Sequence, residues 1–248
     1  MKSAPVIVLG LAAVAMVVAI QLAPRRSAQA IGQYATPLDQ RTRNQAHNAR
    51  LSASKLDGKI IPAHATFSFN ETIGSWSRDA GYRRAPVSYD GQLIDDWGGG
   101  VCQTSTTLYN AALLAGLEIL ERHPHHFAPS YAPPGRDAAV AYGAFDLRFK
   151  NPYAAPIKIQ AKLVHDRLHV ALLSTEGSSE AVRIESQIAK GSPPMTIRLK
   201  PEGRQRVRNE GKVGVTASVT RVIGTRREHL STDHYPTMHR VVEGSMAE

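Results

Sequence analysis

The sequence predicts an α+β protein, with a helical first half and a β-rich second half. Residues 42–56 contain no Gly or Pro and are followed by Gly58, which is typical of a helix and its C-terminal end. A second helix is expected from Cys102 to Leu120, where apolar residues recur at helical spacing. Beyond a proline-rich stretch the pattern changes to short segments typical of strands, such as PIKIQAKLV and LHVALLS. Helical segments followed by a run of strands favour an α+β layout.

The chain divides into four segments. Residues 1–30 are interpreted as a signal peptide or membrane anchor, 31–41 as a linker, 42–175 as the main domain and 176–248 as a β-rich C-terminal extension. The hydrophobic content of 42% and charged content of 21% are ordinary for a globular protein and exclude a disordered chain. Composition alone therefore leaves the function open.

The N-terminus carries an export signal. Residues 4–23 form an almost continuous apolar run, and Ala28 and Ala30 fit the small-x-small pattern of a signal-peptidase site. The same run is long enough for a membrane anchor, so cleavage and anchoring both stay open. In either case we expect the folded part outside the cytoplasmic membrane, in the periplasm or cell envelope.

The net charge of +9 favours anionic partners such as cell-wall polymers or lipid headgroups. The Lys and Arg residues are scattered along the chain, and no nucleic-acid motif accompanies them. We therefore expect no nucleic-acid partner, and contact with a membrane only through the N-terminal segment.

The stretch GGGVCQ holds the only cysteine, Cys102. An exported chain with one cysteine forms no internal disulfide, and a thiol at the start of a helix is stabilised as a thiolate by unpaired N–H groups and the helix dipole. Such a thiolate attacks carbonyl carbon, and the amides of Val101 and Gln103 are placed to hold the resulting oxyanion. Gly99 and Gly100 would let a substrate approach the backbone. The alternative is a buried cysteine that only packs.

A base for this thiolate is offered by the stretch ERHPHHFAP. In an extended loop His123 and His125 point the same way, whereas His126 points to the opposite side. His125 is the first choice for the base and His123 the second. The stretch lacks a partner cluster with metal-ligand spacing, so we predict neither a metal nor a cofactor.

Two further residues follow in PPGRDAAV. Asp137 is a candidate to orient the base, with a turn or cap as the alternative role. Arg136 is a candidate to bind a substrate carboxylate with both guanidinium nitrogens, or it is an exposed loop residue without a role.

These motifs together resemble the VanW domain, a family named from vancomycin-resistance gene clusters in bacteria. The resemblance runs from about Arg41 to Leu173, and the blocks GGGVCQ, ERHPH and GRDA occur in the order and at the spacing of the family. It implies an extracytoplasmic protein of cell-wall metabolism, in a family linked to L,D-transpeptidation.

Carried onto this sequence, the resemblance makes Cys102 the nucleophile, His123 and His125 the family's histidines, and Asp137 its acidic residue. The leading hypothesis is a cysteine acyl-transferase that acts on peptidoglycan stem peptides through a thioester. Two alternatives stay open, namely a hydrolase that uses the same cysteine and a non-catalytic module that binds or scaffolds peptidoglycan.

Overall fold

Strands dominate both halves of the chain in the computed structural model, which describes residues 27–89 and 92–245. Strands account for 44% and helices for 16% of the described residues, which contain three helices. The expected helical first half is therefore wrong. Six strands separate or flank the helices before residue 122, and several of them pair with residues far along the chain, which local periodicity does not reveal.

The elements are numbered in chain order. The helices are α1 (Arg43–Leu56), α2 (Phe69–Ile73) and α3 (Val101–Leu114). The strands are β1 (Gln29–Pro37), β2 (Ile60–Ile61), β3 (Thr66–Ser68), β4 (Arg84–Tyr89), β5 (Gln92–Trp97), β6 (Glu118–Glu121), β7 (Arg148–Lys150), β8 (Ile157–Val164), β9 (Arg167–Ser174), β10 (Val182–Lys190), β11 (Thr196–Arg204), β12 (Arg206–Asn209), β13 (Val215–Ile223), β14 (Arg226–Tyr235) and β15 (Arg240–Ser245).

Three sheets belong to the part of the chain before residue 175. The largest has the order β1-β9-β8-β2 and is antiparallel, a second has the order β3-β7-β6, and β4 pairs with β5. Residues 31–41, expected to be a linker, instead contain most of β1, whose Tyr34 lies opposite Val170 of β9. This long-range pairing explains why the polar sequence of the segment did not predict a strand.

The C-terminal extension forms two further sheets, of order β10-β13-β14 and β11-β15-β12. The first is antiparallel, whereas in the second β11 runs parallel and β12 antiparallel to β15. Strand β14 lies at one edge of its sheet and carries side chains that reach the functional site described below.

The two longer helices begin and end for local reasons. Thr42 caps α1 in a capping box with Gln45, which satisfies two N–H groups at the helix start. Helix α3 ends at Leu114 and not at the expected Leu120, because Gly116 adopts a positive φ of 73° and the chain then enters β6. The loop after β6 therefore has a shorter return path to the start of α3.

No helix in residues 27–89 or 92–245 combines the length and hydropathy needed to cross a membrane. The apolar run over residues 4–23, expected to be a signal peptide or anchor, lies outside the described residues, as does most of 1–30. Ala30 pairs with Leu173 inside β1, so cleavage after Ala30 would remove the start of that strand.

The fold predicts how much stability is lost when a core side chain of α3 is truncated. Leu108 is fully buried, so Leu108→Ala is expected to lower the free energy of unfolding by about 2–5 kcal/mol through lost burial and a residual cavity. Urea unfolding followed by circular dichroism measures this loss. The control Val164→Ala, at a side chain that is 43% exposed, is expected to change it by less than about 0.5 kcal/mol. Equal losses in the two variants would contradict this packing.

Candidate functional site

The turn before Cys102 is held by α1. The side-chain amide of Asn48 donates to the carbonyl oxygens of Gly99 and Arg83, each at 2.8 Å, and its oxygen accepts from the amide of Arg83. Gly100 caps α3 with a φ of 109°, a left-handed conformation that favours glycine. The start of α3 is thereby fixed against α1.

The glycines expected to admit a substrate are occupied by packing. A Cβ atom on Gly99 would lie 2.7 Å from the carbonyl oxygen of Pro86, and one on Gly100 would collide with the backbone of Gln45. Close approach to β4 and α1 is therefore sufficient to explain both glycines. Their proposed contact with substrate stays a prediction.

A polar face of α3 binds the backbone that carries Asp137. Ser105 donates to the carbonyl oxygen of Ala138 at 2.7 Å, and the Thr106 hydroxyl accepts from the Ala138 amide at 3.0 Å. Asn110 donates to the carbonyl oxygen of Arg136 at 2.7 Å. These buried side chains satisfy the backbone of a segment that forms no regular strand, and they place Asp137 beside the first turns of α3.

The histidine loop closes on the same segment. The amide of Ala139 donates to the carbonyl oxygen of His123 at 2.8 Å, which brings residues 137–139 alongside residues 123–125. Asp137 Oδ2 accepts from the His125 amide at 2.8 Å and lies 2.7 Å from His125 Nδ1. The Cys102 thiol donates to the carbonyl oxygen of Val140 at 3.4 Å, and its interaction with the His125 side chain lowers its pKa. The structure thus brings Cys102, His125 and Asp137 together.

The three groups shift one another's pKa values in a consistent direction. Burial opposes ionisation of the Cys102 thiol, but the hydrogen bond and positive charge of His125 lower its pKa below the ordinary value. Burial also disfavours the imidazolium, yet the hydrogen bonds to Asp137 and Cys102 raise the pKa of His125 to about 9. These shifts favour a thiolate paired with an imidazolium, in which Nδ1 donates to Asp137.

Asp137 has further partners that the sequence did not indicate. Its side chain is fully buried, and its Oδ1 lies 3.1 Å from Nη2 of Arg122 and accepts from the Tyr235 hydroxyl at 2.5 Å. Arg122 also donates to the Asp137 carbonyl oxygen and pairs with Asp233. Burial raises the pKa of Asp137, but His125, Arg122 and Tyr235 together outweigh it and keep the pKa below its usual value.

Tyr131 is another residue that sequence reasoning missed. Its hydroxyl lies 3.4 Å from His125 Nε2, and the guanidinium of Arg41 lies 4.9 Å from the centre of its ring. Burial and the negative charge on Cys102 raise its pKa well above the ordinary value, so the phenol stays protonated. An aromatic residue inside the proline-rich loop was the only signal for it. Arg122 adjoins the histidines within ERHPH, whereas no local pattern indicated Asp233 or Tyr235.

His123, the second choice for the base, lies elsewhere. Its Nε2 is 3.1 Å from Glu121 Oε1, and its ring packs on Phe145 with centroids 4.6 Å apart. His123 and His125 therefore contact different partners. The β-bridge to Ala139 holds residue 123, whereas Asp137 turns the main chain and ring of His125 towards the thiol.

The other two expected substrate contacts are engaged within the fold. Gln103 is buried and donates to Thr36 Oγ1 at 3.0 Å and to the carbonyl oxygen of Pro37 at 2.6 Å. Arg136 donates through Nε to Asn110, and its guanidinium lies 5.2 Å from the ring centre of Tyr34. Binding of substrate by Gln103 or Arg136 stays a prediction.

Within the part of the chain that the structure describes, no three His, Cys, Asp or Glu side chains converge as a metal site would require. The arrangement that does form is a Cys–His–Asp triad, in which His125 interacts with the Cys102 thiol and its Nδ1 lies 2.7 Å from the buried Asp137 carboxylate. The fold and this site therefore define a protein with a Cys–His–Asp triad at the start of a helix.

The chain belongs to the VanW family, because the family model described as "VanW like protein" matches residues 44–173. This confirms the resemblance drawn from the sequence. The matched segment contains all three residues of the triad and ends before the C-terminal extension.

Two curated relatives share part of this chain. The "Uncharacterized protein YoaR" of Bacillus subtilis is 40% identical over 157 residues, which are 63% of this chain and 52% of the relative. The "Vancomycin B-type resistance protein VanW" of Enterococcus faecalis is 28% identical over 130 residues, or 50% of this chain and 47% of the relative. This chain therefore spans about half the length of each relative.

Among solved structures, HP0197-G5 is similar to 27% of this chain and is covered completely, with 16% identity and a TM-score of 0.15. That likeness carries no argument about fold or function.

The site predicts how the reactivity of Cys102 depends on pH. Alkylation by iodoacetamide is expected to have a midpoint below the value of about 8.5 for a free thiol, because His125 stabilises the thiolate. His125→Ala removes the opposing charge but leaves the thiol partly buried, so we expect the midpoint to rise by about one to three pH units. His123→Ala is the matched comparison and is expected to leave the midpoint unchanged. The pairing would be refuted if the two variants behaved alike.

Proposed function

We propose that this protein acts in the cell envelope as a cysteine acyl-transferase of the L,D-transpeptidase type on peptidoglycan stem peptides. The observation that carries the proposal is that His125, whose Nδ1 lies 2.7 Å from the buried Asp137 carboxylate, lowers the pKa of the Cys102 thiol. Membership of the VanW family and a relative named for vancomycin resistance support a role in cell-wall metabolism. The apolar run over residues 4–23 and the net charge of +9 support a location outside the cytoplasmic membrane, next to anionic polymers.

In the first step, the Cys102 thiolate attacks the carbonyl carbon of an amide bond in the donor stem peptide. A C–S bond forms, and the carbonyl oxygen gains the negative charge. As the C–N bond breaks, the imidazolium of His125 gives its proton to the departing amine, which leaves with the terminal D-amino acid. The products are a thioester on Cys102 and a neutral imidazole.

In the second step, the side-chain amine of another stem peptide attacks the thioester. His125 accepts the proton that the amine loses, a new C–N bond forms, and the C–S bond breaks to restore the thiolate–imidazolium pair. If water attacks the thioester in place of the amine, the protein is a hydrolase. The two activities differ only in the acceptor of the acyl group. Asp137 holds the imidazole in the orientation that both proton transfers require.

The amide of Cys102 itself is the proposed donor to the oxyanion. The expected donors are occupied, since Val101 donates to the Gly98 carbonyl oxygen at 2.9 Å and Gln103 to that of Gly100 at 3.2 Å. Within the described residues, the Cys102 amide has no protein acceptor, and it lies one bond from the Cα that carries the nucleophile.

The test uses the full chain in detergent with a synthetic stem peptide that ends in a D-amino acid. We expect intact-mass spectrometry to show an acyl adduct on the wild type, and product masses to show a cross-linked dimer. A shortened peptide without the dimer would identify the hydrolase. Cys102→Ala is expected to give neither adduct nor product, with an unchanged circular dichroism spectrum.

Two results would overturn the proposal. One is cross-linked or shortened product from Cys102→Ala. The other is a wild-type protein that binds peptidoglycan without forming an adduct, which would identify the non-catalytic module.

A further inference from the structure

We infer that Tyr235 and Asp233, both on β14, are positioning residues for Asp137, so that the C-terminal sheet is part of the site. Both residues lie outside the segment 44–173 that the family model matches. The inference rests on the proposed function, because it assigns these residues a role in orienting the triad.

The contacts of the Asp137 carboxylate carry the argument. Its Oδ2 accepts both the amide and Nδ1 of His125, at 2.8 and 2.7 Å. Its Oδ1 has the Tyr235 hydroxyl at 2.5 Å and Arg122 Nη2 at 3.1 Å. The two donors on Oδ1 thus determine the rotation of the carboxylate about its Cβ–Cγ bond, and with it the direction in which Oδ2 faces His125.

Asp233 acts one step further away. Its Oδ2 pairs with Arg122 Nη1 at 2.5 Å and also accepts from the hydroxyl of Ser231 at 3.0 Å. Both Arg122 and Asp233 are at least nine-tenths buried, so the pair is shielded from solvent. Asp233 therefore holds the guanidinium in the position from which it donates to the side chain and the carbonyl oxygen of Asp137.

The C-terminal extension, residues 176–248, also forms hydrogen bonds with the loop that carries His125 and Asp137. The Tyr235 hydroxyl accepts from the Gly135 amide at 2.8 Å, and Gly135 packs against Ala217 and Val219 of β13. At the other end of the loop, Lys212 donates to the carbonyl oxygen of Ala128 at 2.5 Å. The C-terminal extension thus holds the loop on both sides of Tyr131.

The Tyr235 hydroxyl is suited to donate a hydrogen bond to Asp137 at every pH of interest. It is 1% exposed, and burial together with the neighbouring Asp137 carboxylate raises its pKa far above the ordinary value. The phenol therefore keeps its proton, and as a donor it stabilises the ionised form of Asp137 more than the protonated form.

The test measures Cys102 alkylation against pH in the full-length Tyr235→Phe variant. Without the hydroxyl, the carboxylate is held on Oδ1 by Arg122 alone, and its hold on the imidazolium of His125 weakens. We expect the midpoint of thiolate formation to rise by about one pH unit, which slows alkylation about tenfold below the midpoint. The matched control is Tyr82→Phe, at a tyrosine that is 2% exposed with its hydroxyl 3.2 Å from Ser52, and it should leave the profile unchanged.

A double-mutant cycle separates positioning from packing. In an Asp137→Asn background, Tyr235→Phe should cause no further shift, because its effect passes through the carboxylate. Additive shifts, or a Tyr235→Phe profile equal to that of the wild type, would overturn the inference. If Tyr235→Phe does not fold, Asp233→Asn decides by the same measurement, with a raised midpoint in support and an unchanged one against.

The proposed function fails separately from this inference. Alkylation needs no stem peptide, so a wild-type thiol that titrates like a free cysteine counts against the proposed function itself. A wild-type thiol with a lowered midpoint that Tyr235→Phe and Asp233→Asn leave unchanged counts only against the inference.

Discussion

The buried carboxylate of Asp137 is the constraint on which the rest of the site depends. An ionised carboxylate without exposure to water is unfavourable unless charged and hydrogen-bonding partners replace the lost solvation. Here the partners are His125, Arg122 and Tyr235, which come from the histidine loop, the end of β6 and β14. Removing one partner of such a buried pair costs about 3–5 kcal/mol. The same charge that orients the base therefore also holds residues 122–125 and β14 against the segment that carries Asp137.

Helix α3 supplies the buried polar side chains that hold the segment around Asp137. Residues 103–107 and Asn110 are polar and buried, which is unusual for the interior face of a helix. Their hydrogen bonds go largely to backbone groups outside the helix, above all those of Ala138 and Arg136. A core of apolar side chains would bury as much surface, but it would leave the backbone around Asp137 without partners. The polar composition of α3 is therefore explained by the irregular segment that it has to hold.

The sequence was sufficient to predict the elements of the site whose signals are local. The helix over 42–56, the helix start at Cys102 and the order of the motifs around His125 and Asp137 all depend on spacing along the chain. The strand β1 and the contacts of Tyr235 depend on pairing with residues more than 90 positions away, which no local pattern encodes. The helical first half failed partly for the same reason, since β2, β3 and β6 pair with β8 and β7, although β4 and β5 pair with each other.

The structure also changes the physical account of the thiolate. The sequence argument relied on the free N–H groups at the start of α3, but those of Val101 and Gln103 already donate to Gly98 and Gly100. A helix dipole contributes only about 0.3–1 kcal/mol near an exposed helix end. An opposing charge in contact with the thiol lowers its pKa by about one to three units, or roughly 1.4–4 kcal/mol. His125 is therefore the larger cause of the lowered pKa of Cys102, and because Asp137 in turn raises the pKa of His125, the ionisation of the thiol depends on residues outside α3.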